Sequence, residues 1–278
     1  MAKQPSQFRF FKSRHVPELS VLRAAMSDFR YDPHAHDEYA FGVTLAGRQD
    51  FFSGGRFHRS PPGNVIQFNP GEVHDGQPGG DSTLGYVMAY VSPAQLEAVF
   101  AEAAGRRSAG SFRSRDTLIQ DPALRDAILE LVRLVTQQIG SRIDQEHVLY
   151  RIATRLVQRD GRFHPDGTTS SRPDALLKRA KDYVLSHLED DVSLDDLSQA
   201  AHLSKYHFLR LFRQQFGMTP HQYVINCRIN AARHALETGA IPNEVAFRYG
   251  FADLSHFNRR FKRIYGMTPY QYQRSVTP

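Results

Sequence analysis

Three histidines lie in two short segments of the first half of the chain, at a spacing that suits ligand binding. The first segment reads His34-Ala35-His36-Asp37-Glu38, and the second ends at His74. On a strand, side chains at i and i+2 point to one face, so His34, His36 and Glu38 would share a face. Imidazoles bind transition metals, hydrogen-bond to organic molecules or simply pack in a core. We predict effector contact for His34, His36, Glu38 and His74. Metal binding at His34, His36 and His74 and a purely structural role stay open as alternatives.

A second group of polar side chains lies in a segment that occurs twice near the end of the chain. Residues 206–223 and 255–272 are identical at ten of eighteen positions, with a constant offset of 49. Gly-Met-Thr-Pro, at 217–220 and 266–269, belongs to both copies. An ungapped match of this density indicates one structural unit present twice.

Each copy presents basic side chains opposite an apolar stripe, and the second copy adds the amide of Asn258. In the first copy Phe208, Leu211 and Phe212 recur at helical spacing. The opposite faces carry Lys205, Tyr206, Leu209, Arg210 and Arg213 in the first copy, and Leu254, Ser255, Asn258, Arg259, Lys262 and Arg263 in the second. Arg can bind guanine, Asn can bind adenine, Leu can contact a thymine methyl, and outer cations can bind phosphates. We predict that both faces bind DNA; a solvated basic surface is the alternative.

Local signals place these side chains on helices. Ser204 and Asp253 suit N-caps, while Gly217 and Gly266 suit the left-handed residue after a helix. The pair Thr219-Pro220 predicts the start of a helix that runs to about Glu237. A short helix precedes each repeated helix, one from about Leu194 and one over about 242–249. Two helices joined by a tight turn, occurring twice, indicate paired helix-turn-helix units.

The first half of the chain has a different pattern. Ten of the nineteen glycines fall between Gly42 and Gly85. Short apolar runs lie between them, which is typical of an all-β sandwich or barrel. Predicted strands cover 40–45, 49–52, 56–58, 65–68 and 84–91, and predicted helices cover 93–104, 122–139 and 145–158. The apolar stripe of the second helix either packs on the barrel or forms a subunit interface; we expect dimerisation through Leu124, Ile128, Leu131 and Val135.

Charge and composition separate the two halves. The net charge is +6, yet residues 203–278 alone hold eleven basic and three acidic side chains, a balance of +8. A basic terminal segment suggests a polyanion partner. The polar segment Arg159–Pro173 is rich in Gly, Ser, Thr and Pro and is predicted as a linker. The expected domains are therefore 1–158 and 174–278, joined by 159–173.

Residues from about Asp174 to Thr277 resemble the AraC/XylS-type DNA-binding domain. The second copy carries the family signature: Gly250-Phe251, Asp253, Ser255, Phe257, Arg259, Phe261-Lys262 and Gly266-Met267-Thr268-Pro269. The resemblance implies two helix-turn-helix subdomains joined by one long helix, with recognition helices over 204–216 and 254–265. Tyr206 and Leu209 differ from the larger or more polar residues that relatives often have, so the preferred base sequence does not transfer.

The first half is similar to the cupin-like effector domain of many such regulators. The similarity lies in 34–39, Gly47-Arg48, Pro62-Gly63 and Asn69-Pro70-Gly71-Glu72-Val73-His74. It implies a small β-barrel with a pocket, followed by dimerisation helices. The fold class is thus α+β, an N-terminal cupin-like β-barrel with dimerisation helices and a C-terminal all-α domain of two helix-turn-helix subdomains.

These features together predict a cytoplasmic, effector-controlled transcription factor, with activation favoured by the resemblance. No run of about eighteen apolar residues and no signal-peptide pattern is present. The expected partners are double-stranded DNA, a small-molecule effector, RNA polymerase and a second copy of the chain. The sequence predicts no enzyme activity, catalytic residue or cofactor; a regulator without an effector and a metal-binding cupin sensor or enzyme fused to a DNA-binding domain are the alternatives.

Overall fold

The structure is a computed structural model that describes residues 5–16, 18–105, 111–164 and 172–277. The chain forms two compact units, an N-terminal unit of Met1–Arg30 with Ala35–Asp166, and a C-terminal unit of Tyr31–His34 with Gly167–Pro278. Within the described residues, no helix is both long enough and apolar enough to cross a membrane.

The first half is rich in strands, as predicted. Its strands are β1 (Gln7–Lys12), β2 (Leu19–Met26), β3 (Tyr31–His34), β4 (Tyr39–Ala46), β5 (Gln49–Ser53), β6 (Arg56–Ser60), β7 (Val65–Phe68), β8 (His74–Pro78), β9 (Leu84–Val91), β10 (Ser111–Ser114), β11 (Leu118–Ile119) and β12 (Gly161–His164). One sheet has the order β1-β2-β9-β4-β7-β11, another β3-β8-β5-β6, and β10 pairs with β12. The tight turn between β5 and β6 uses Gly54 and Gly55, both with positive φ.

Helices α1 (Pro93–Ala103), α2 (Pro122–Thr136) and α3 (Arg142–Asp160) share one core with the six-stranded sheet. Tyr39, Phe41 and Val43 alternate along β4 and belong to this core, together with Phe100 of α1 and Leu131 of α2. Alternation on β4 and a 3.6-residue period on α2 thus bury one face of each element.

The expected dimerisation stripe is wrong as an interface. Leu124, Ile128, Leu131 and Val135 are each at most 1% exposed, inside the core of the N-terminal unit. Apolar periodicity showed correctly that this face of α2 is covered, but the sheet and the neighbouring helices cover it rather than a second copy.

The predicted linker 159–173 begins in regular structure. Arg159 and Asp160 are the last residues of α3, and 161–164 form β12, which pairs antiparallel with β10. Residues 165–171 lie outside the described residues, and α4 begins at Arg172.

The C-terminal unit contains the helices α4 (Arg172–Ser186), α5 (Leu194–Ala200), α6 (Lys205–Phe216), α7 (Pro220–Glu237), α8 (Pro242–Arg248), α9 (Leu254–Tyr265) and α10 (Pro269–Val276). The predicted bounds of α7 match those of the structure. Its first half packs Val224 and Cys227 with Phe208 and Phe212 of α6. Farther along, Asn230 accepts a hydrogen bond from the Tyr265 hydroxyl of α9 at 3.0 Å. One continuous helix therefore contributes to both helix-turn-helix subdomains.

Candidate nucleic-acid interface and ligand site

Helices α6 and α9 begin and end through the same local interactions. Ser204 accepts a hydrogen bond from the backbone N–H of His207, and Asp253 accepts one from that of His256. Gly217 and Gly266 end the two helices at φ of 68° and 76°, in the left-handed region that glycine adopts without steric cost. The two copies of the repeat therefore share both the N-cap interaction that begins the helix and the glycine that ends it.

The next helix also begins in the same way after each copy. Thr219 and Thr268 each form a reciprocal capping box, with Gln222 and Gln271 respectively. Proline follows both threonines at the first helical position, where its missing N–H costs nothing. These local bonds fix the direction in which the chain leaves each predicted recognition helix.

Both helices bury their aromatic stripe and expose their polar face. Phe208, Phe212, Phe257 and Phe261 are fully buried, whereas Tyr206 is 80% exposed. Ten of the eleven predicted contact residues are exposed, and Asn258 is half-buried. The ten exposed residues are Lys205, Tyr206, Leu209, Arg210, Arg213, Leu254, Ser255, Arg259, Lys262 and Arg263. Exposed cations on a helix suit phosphates and base edges of a major groove.

Two neighbouring groups modify this basic face. Nζ of Lys205 lies 2.6 Å from Oδ1 of Asp195, so a phosphate would have to compete with a carboxylate at this exposed pair. On α9, burial lowers the pKa of His256, and the charges of Arg260 and Arg259 lower it further. The sequence reasoning left out Arg260, although it lies among the basic residues of the second copy.

The three predicted ligand-binding histidines are buried and lie close together. Ligand atoms of His34, His36 and His74 all lie within 4.8 Å of one another. His34 ends β3 and His74 begins β8, while His36 lies between β3 and β4. Glu38 is half-buried and is not part of this group.

Backbone carbonyls fix the ring orientation of two of these histidines. Nδ1 of His34 lies 2.7 Å from the carbonyl oxygen of Asp32, and Nδ1 of His74 lies 2.9 Å from that of Glu72. A carbonyl oxygen only accepts, so each Nδ1 carries a proton and donates it. A neutral ring held this way has its acceptor at Nε2, which is the usual arrangement of a histidine that binds a metal or a hydroxyl group.

Burial keeps His74 neutral. It lowers the pKa of His74 to about 4, against a small opposing effect of the bond to Glu72. The imidazole of His74 is therefore uncharged at neutral pH and stays so until the pH falls to about 4. A neutral acceptor at Nε2 favours a ligand that donates a hydrogen bond and disfavours an anion at this position.

Aromatic rings surround the histidines. Phe68 stacks on His74 with ring centroids 3.6 Å apart, and Tyr90 meets His36 edge-on at 5.0 Å. Phe51 packs against Phe68 at 5.6 Å. Such packing holds the imidazoles in one rotamer, and it would give a ligand a mainly apolar environment with a few polar contacts.

Two polar side chains near this region, the carboxylate of Glu72 and the phenol of Tyr39, have structural roles. Glu72 accepts hydrogen bonds from Ser53, Asn69 and Thr117. Tyr39 is fully buried and donates its hydroxyl proton to the carbonyl of Phe112 at 2.8 Å. These groups tie the loop before β8 and the strand β4 to their neighbours.

Comparison with known proteins matches both halves of the chain. The model described as "AraC-like ligand binding domain" matches residues 16–153, and "Helix-turn-helix domain" matches 197–275. The uncharacterized HTH-type transcriptional regulator YbfI of Bacillus subtilis (strain 168) is 31% identical over 229 residues, covering 81% of each chain. The crystal structure of ToxT from Vibrio cholerae O395 superposes with a TM-score of 0.58 at 13% identity, covering 99% of each chain. A second ToxT structure, from strain SCE256 and described as bound to an unsaturated fatty acid, gives 0.56 at 13% identity over 99% of this chain and 97% of that one. At this identity the two ToxT structures show a shared fold.

Proposed function

The chain belongs to the AraC family of transcriptional regulators, and from this premise we propose that α6 and α9 bind two successive major grooves of one duplex. The observation that carries the proposal is the repeat of cap, buried stripe, exposed basic face and glycine stop in α6 and α9. Arg210 and Arg259 occupy equivalent positions and are proposed to read bases. Contacts to bases or phosphates are proposed for the remaining members of the surface set, Lys205, Tyr206, Leu209, Arg213, Leu254, Ser255, Asn258, Lys262 and Arg263.

A fragment of residues 172–278 is expected to fold and bind DNA by itself. Its apolar side chains form a core within this segment, from Leu177 and Val184 through Phe212 to Cys227. Two recognition helices one DNA turn apart, about 34 Å, would protect two major grooves on one face over about 20 base pairs. Footprinting of the fragment on a duplex selected from a random library measures this. Protection of a single groove per subunit would contradict the paired-helix proposal, and intact protein serves as the control.

The N-terminal unit is proposed to bind a neutral small molecule with an apolar or aromatic body and at least one hydroxyl or N–H donor. The acceptor Nε2 of neutral His74 and the rings of Phe68 and Tyr90 support this class. Contacts by His34, His36 and Glu38 stay predictions. The ligand named for ToxT is a fatty acid, whereas the neutral His74 offers no positive charge to a carboxylate.

Replacing His74 with Ala is expected to weaken the ligand response while leaving DNA binding unchanged. The variant removes the acceptor and the ring stacked on Phe68 but lies outside the C-terminal unit. Ligands are first found as neutral sugars and phenols that raise the thermal unfolding midpoint of the wild-type protein. The same ligands should raise the midpoint of His74→Ala less, and that of the exposed control His15→Ala equally. Equal shifts in all three proteins would remove His74 from the ligand site.

A metal-loaded sensor is the second candidate, favoured by the distances among the three histidines. Three imidazoles at this separation fit Zn²⁺, Ni²⁺ or Fe²⁺ as a donor set, and a fourth position would remain for water or a ligand. Elemental analysis of the purified protein distinguishes the candidates. About one equivalent of metal, lost in His74→Ala and retained in His15→Ala, supports the metal sensor, whereas metal-free protein supports the organic effector.

The remaining parts of the proposal concern assembly. We propose domains at 1–158 and 174–278 with a linker at 159–173, a homodimer in the cytoplasm, and contact with RNA polymerase as an activator. Because the α2 stripe is core, the proposed dimer would use another surface. Ile143, 72% exposed, and Tyr150 present apolar surface on α3 and are the proposed alternative.

A further inference from the structure

Helix α7 carries an arginine at a buried position between the two helix-turn-helix subdomains. Arg228 is 8% exposed and is flanked by Cys227 and Ile229, which are also buried. Burying a guanidinium is costly unless acceptors surround it. Burial lowers the pKa of Arg228, and the nearby charges of Asp191 and Asp190 oppose this. The hydrogen-bond partners of this side chain therefore indicate its role.

Those partners come from both subdomains. Nη2 of Arg228 donates to the backbone carbonyl of Asp190, in the segment between α4 and α5. Nη1 lies 3.5 Å from the backbone carbonyl of Gly250, in the turn between α8 and α9. A guanidinium holds its donors in a rigid plane, so the two contacts set the distance between these segments.

A second, exposed pair joins the same two segments. Nε of Arg248, at the end of α8, lies 2.6 Å from Oε1 of Glu189. Both side chains are more than half exposed, so this pair contributes little to stability. It nevertheless shows that residues 189–190 and 248–250 are neighbours, and it provides a matched control for the buried contact.

The turn at Gly250 has room for the guanidinium of Arg228 because glycine has no side chain. Gly250 has φ of +70°, and a Cβ at this position would lie 2.8 Å from Nη1 of Arg228. Within the part of the chain that the structure describes, Nε of Arg228 has no hydrogen-bond partner. The buried guanidinium is therefore only partly satisfied by hydrogen bonds, so the cost of burying it is not fully offset.

We propose that Arg228 is a positioning residue that fixes α9 relative to α6 and so determines which separation of the two DNA half-elements the protein prefers. The inference rests on the proposed binding of two major grooves. Because the contacts of Arg228 form when the protein folds, the two subdomains are already oriented before DNA binds. DNA binding then loses less conformational entropy. Without it, each helix can still enter a groove, but the preference for one separation is weakened.

The test compares spacing preference in full-length variants. Duplexes are selected from a random library by the wild-type protein, and one or two base pairs are then inserted or removed between the half-elements. Arg228→Met removes the guanidinium while keeping an apolar side chain of similar length. Arg228→Lys retains the positive charge but cannot donate to two carbonyls from one rigid plane. Arg248→Gln breaks the exposed pair with Glu189. Fluorescence anisotropy gives the affinity of each variant for each duplex.

Arg228→Met should bind the selected duplex about tenfold more weakly and the altered duplexes almost unchanged, so that spacing discrimination falls. Arg228→Lys should fall between this variant and the wild type, and Arg248→Gln should match the wild type within about twofold. The salt dependence should be the same in all variants, because Arg228 is not proposed to contact phosphate.

Two results would overturn the assignment of Arg228. One is a spacing profile that is unchanged in both Arg228 variants, and the other is an equal loss on every duplex, which indicates a general loss of folded protein. If Arg228→Met does not fold by circular dichroism, the profile of Arg228→Lys decides. Failure of the wild-type protein to select any duplex contradicts the proposed function instead, and is therefore distinguishable.

Discussion

Replacing Leu131 with Asp is expected to unfold the N-terminal unit instead of releasing folded monomers. Leu131 is 0% exposed, in the core shared by α2 and the six-stranded sheet. The variant removes a buried side chain and places a carboxyl group where water cannot reach it. Each of these changes costs several kcal/mol, and together they exceed about 4 kcal/mol, a large part of the stability of a domain of this size.

Thermal unfolding by circular dichroism and limited proteolysis measure the effect, with size-exclusion chromatography reporting the oligomeric state. Ile143→Asp is the matched control, because Ile143 is exposed on α3. It should leave the N-terminal unit folded, because its side chain lies outside the core. If Ile143→Asp also shifts a dimer toward monomers, the proposed alternative surface is supported. A Leu131→Asp protein with a wild-type unfolding midpoint would show that this face of α2 is not core.

Local signals in the sequence were sufficient for α6, α7 and α9 of the C-terminal unit, whereas α4 was not predicted. The bounds of α7, α6 and α9 follow from Ser204, Asp253, Thr219 and the glycine stops, because a cap is a bond between residues three positions apart. Helix α10 was not predicted, although Thr268-Pro269 repeats the start of α7 at Thr219-Pro220. The same start signal is therefore present in both copies of the repeat.

The N-terminal unit was predictable as a class but not in its pairing. Strands at 65–68 and 84–91 were predicted with their observed bounds, whereas β8 (His74–Pro78) contains no β-branched residue and was missed. Its strand conformation comes from pairing with β5, which is a tertiary effect. The stripe on α2 failed for a related reason: periodicity identifies a covered face without identifying what covers it.

The chemistry of the ligand site depends on burial, which spacing does not report. His34, His36 and His74 lie close together, but their spacing in the sequence does not show which ring nitrogens carry a proton. The carbonyl of Glu72 takes the Nδ1 proton of His74, and burial keeps the ring neutral. Similarly, nothing in the sequence around Arg228 shows that its acceptors are the carbonyls of Asp190 and Gly250.

Replacing Arg210 or Arg259 with Ala is expected to weaken specific DNA binding by about 1–3 kcal/mol, which is about 5- to 150-fold, and to relax preference at one base pair each. The two side chains are exposed and lie 49 positions apart in the repeat, so neither change should alter folding by more than about 0.5 kcal/mol. The loss arises because a bidentate contact to guanine is replaced by an unpaired base edge.

Affinities for the selected duplex and for a random duplex, measured at several salt concentrations, separate base contacts from phosphate contacts. Arg210→Ala and Arg259→Ala should lower the first affinity far more than the second. Lys262→Ala should lower both alike and reduce the salt slope by about one. Arg274→Ala removes an equal charge from α10, outside both predicted recognition helices, and controls for net charge. Equal losses on specific and random duplexes for Arg210→Ala and Arg259→Ala would assign these side chains to the phosphate backbone, since an arginine that reads a base must discriminate between sequences.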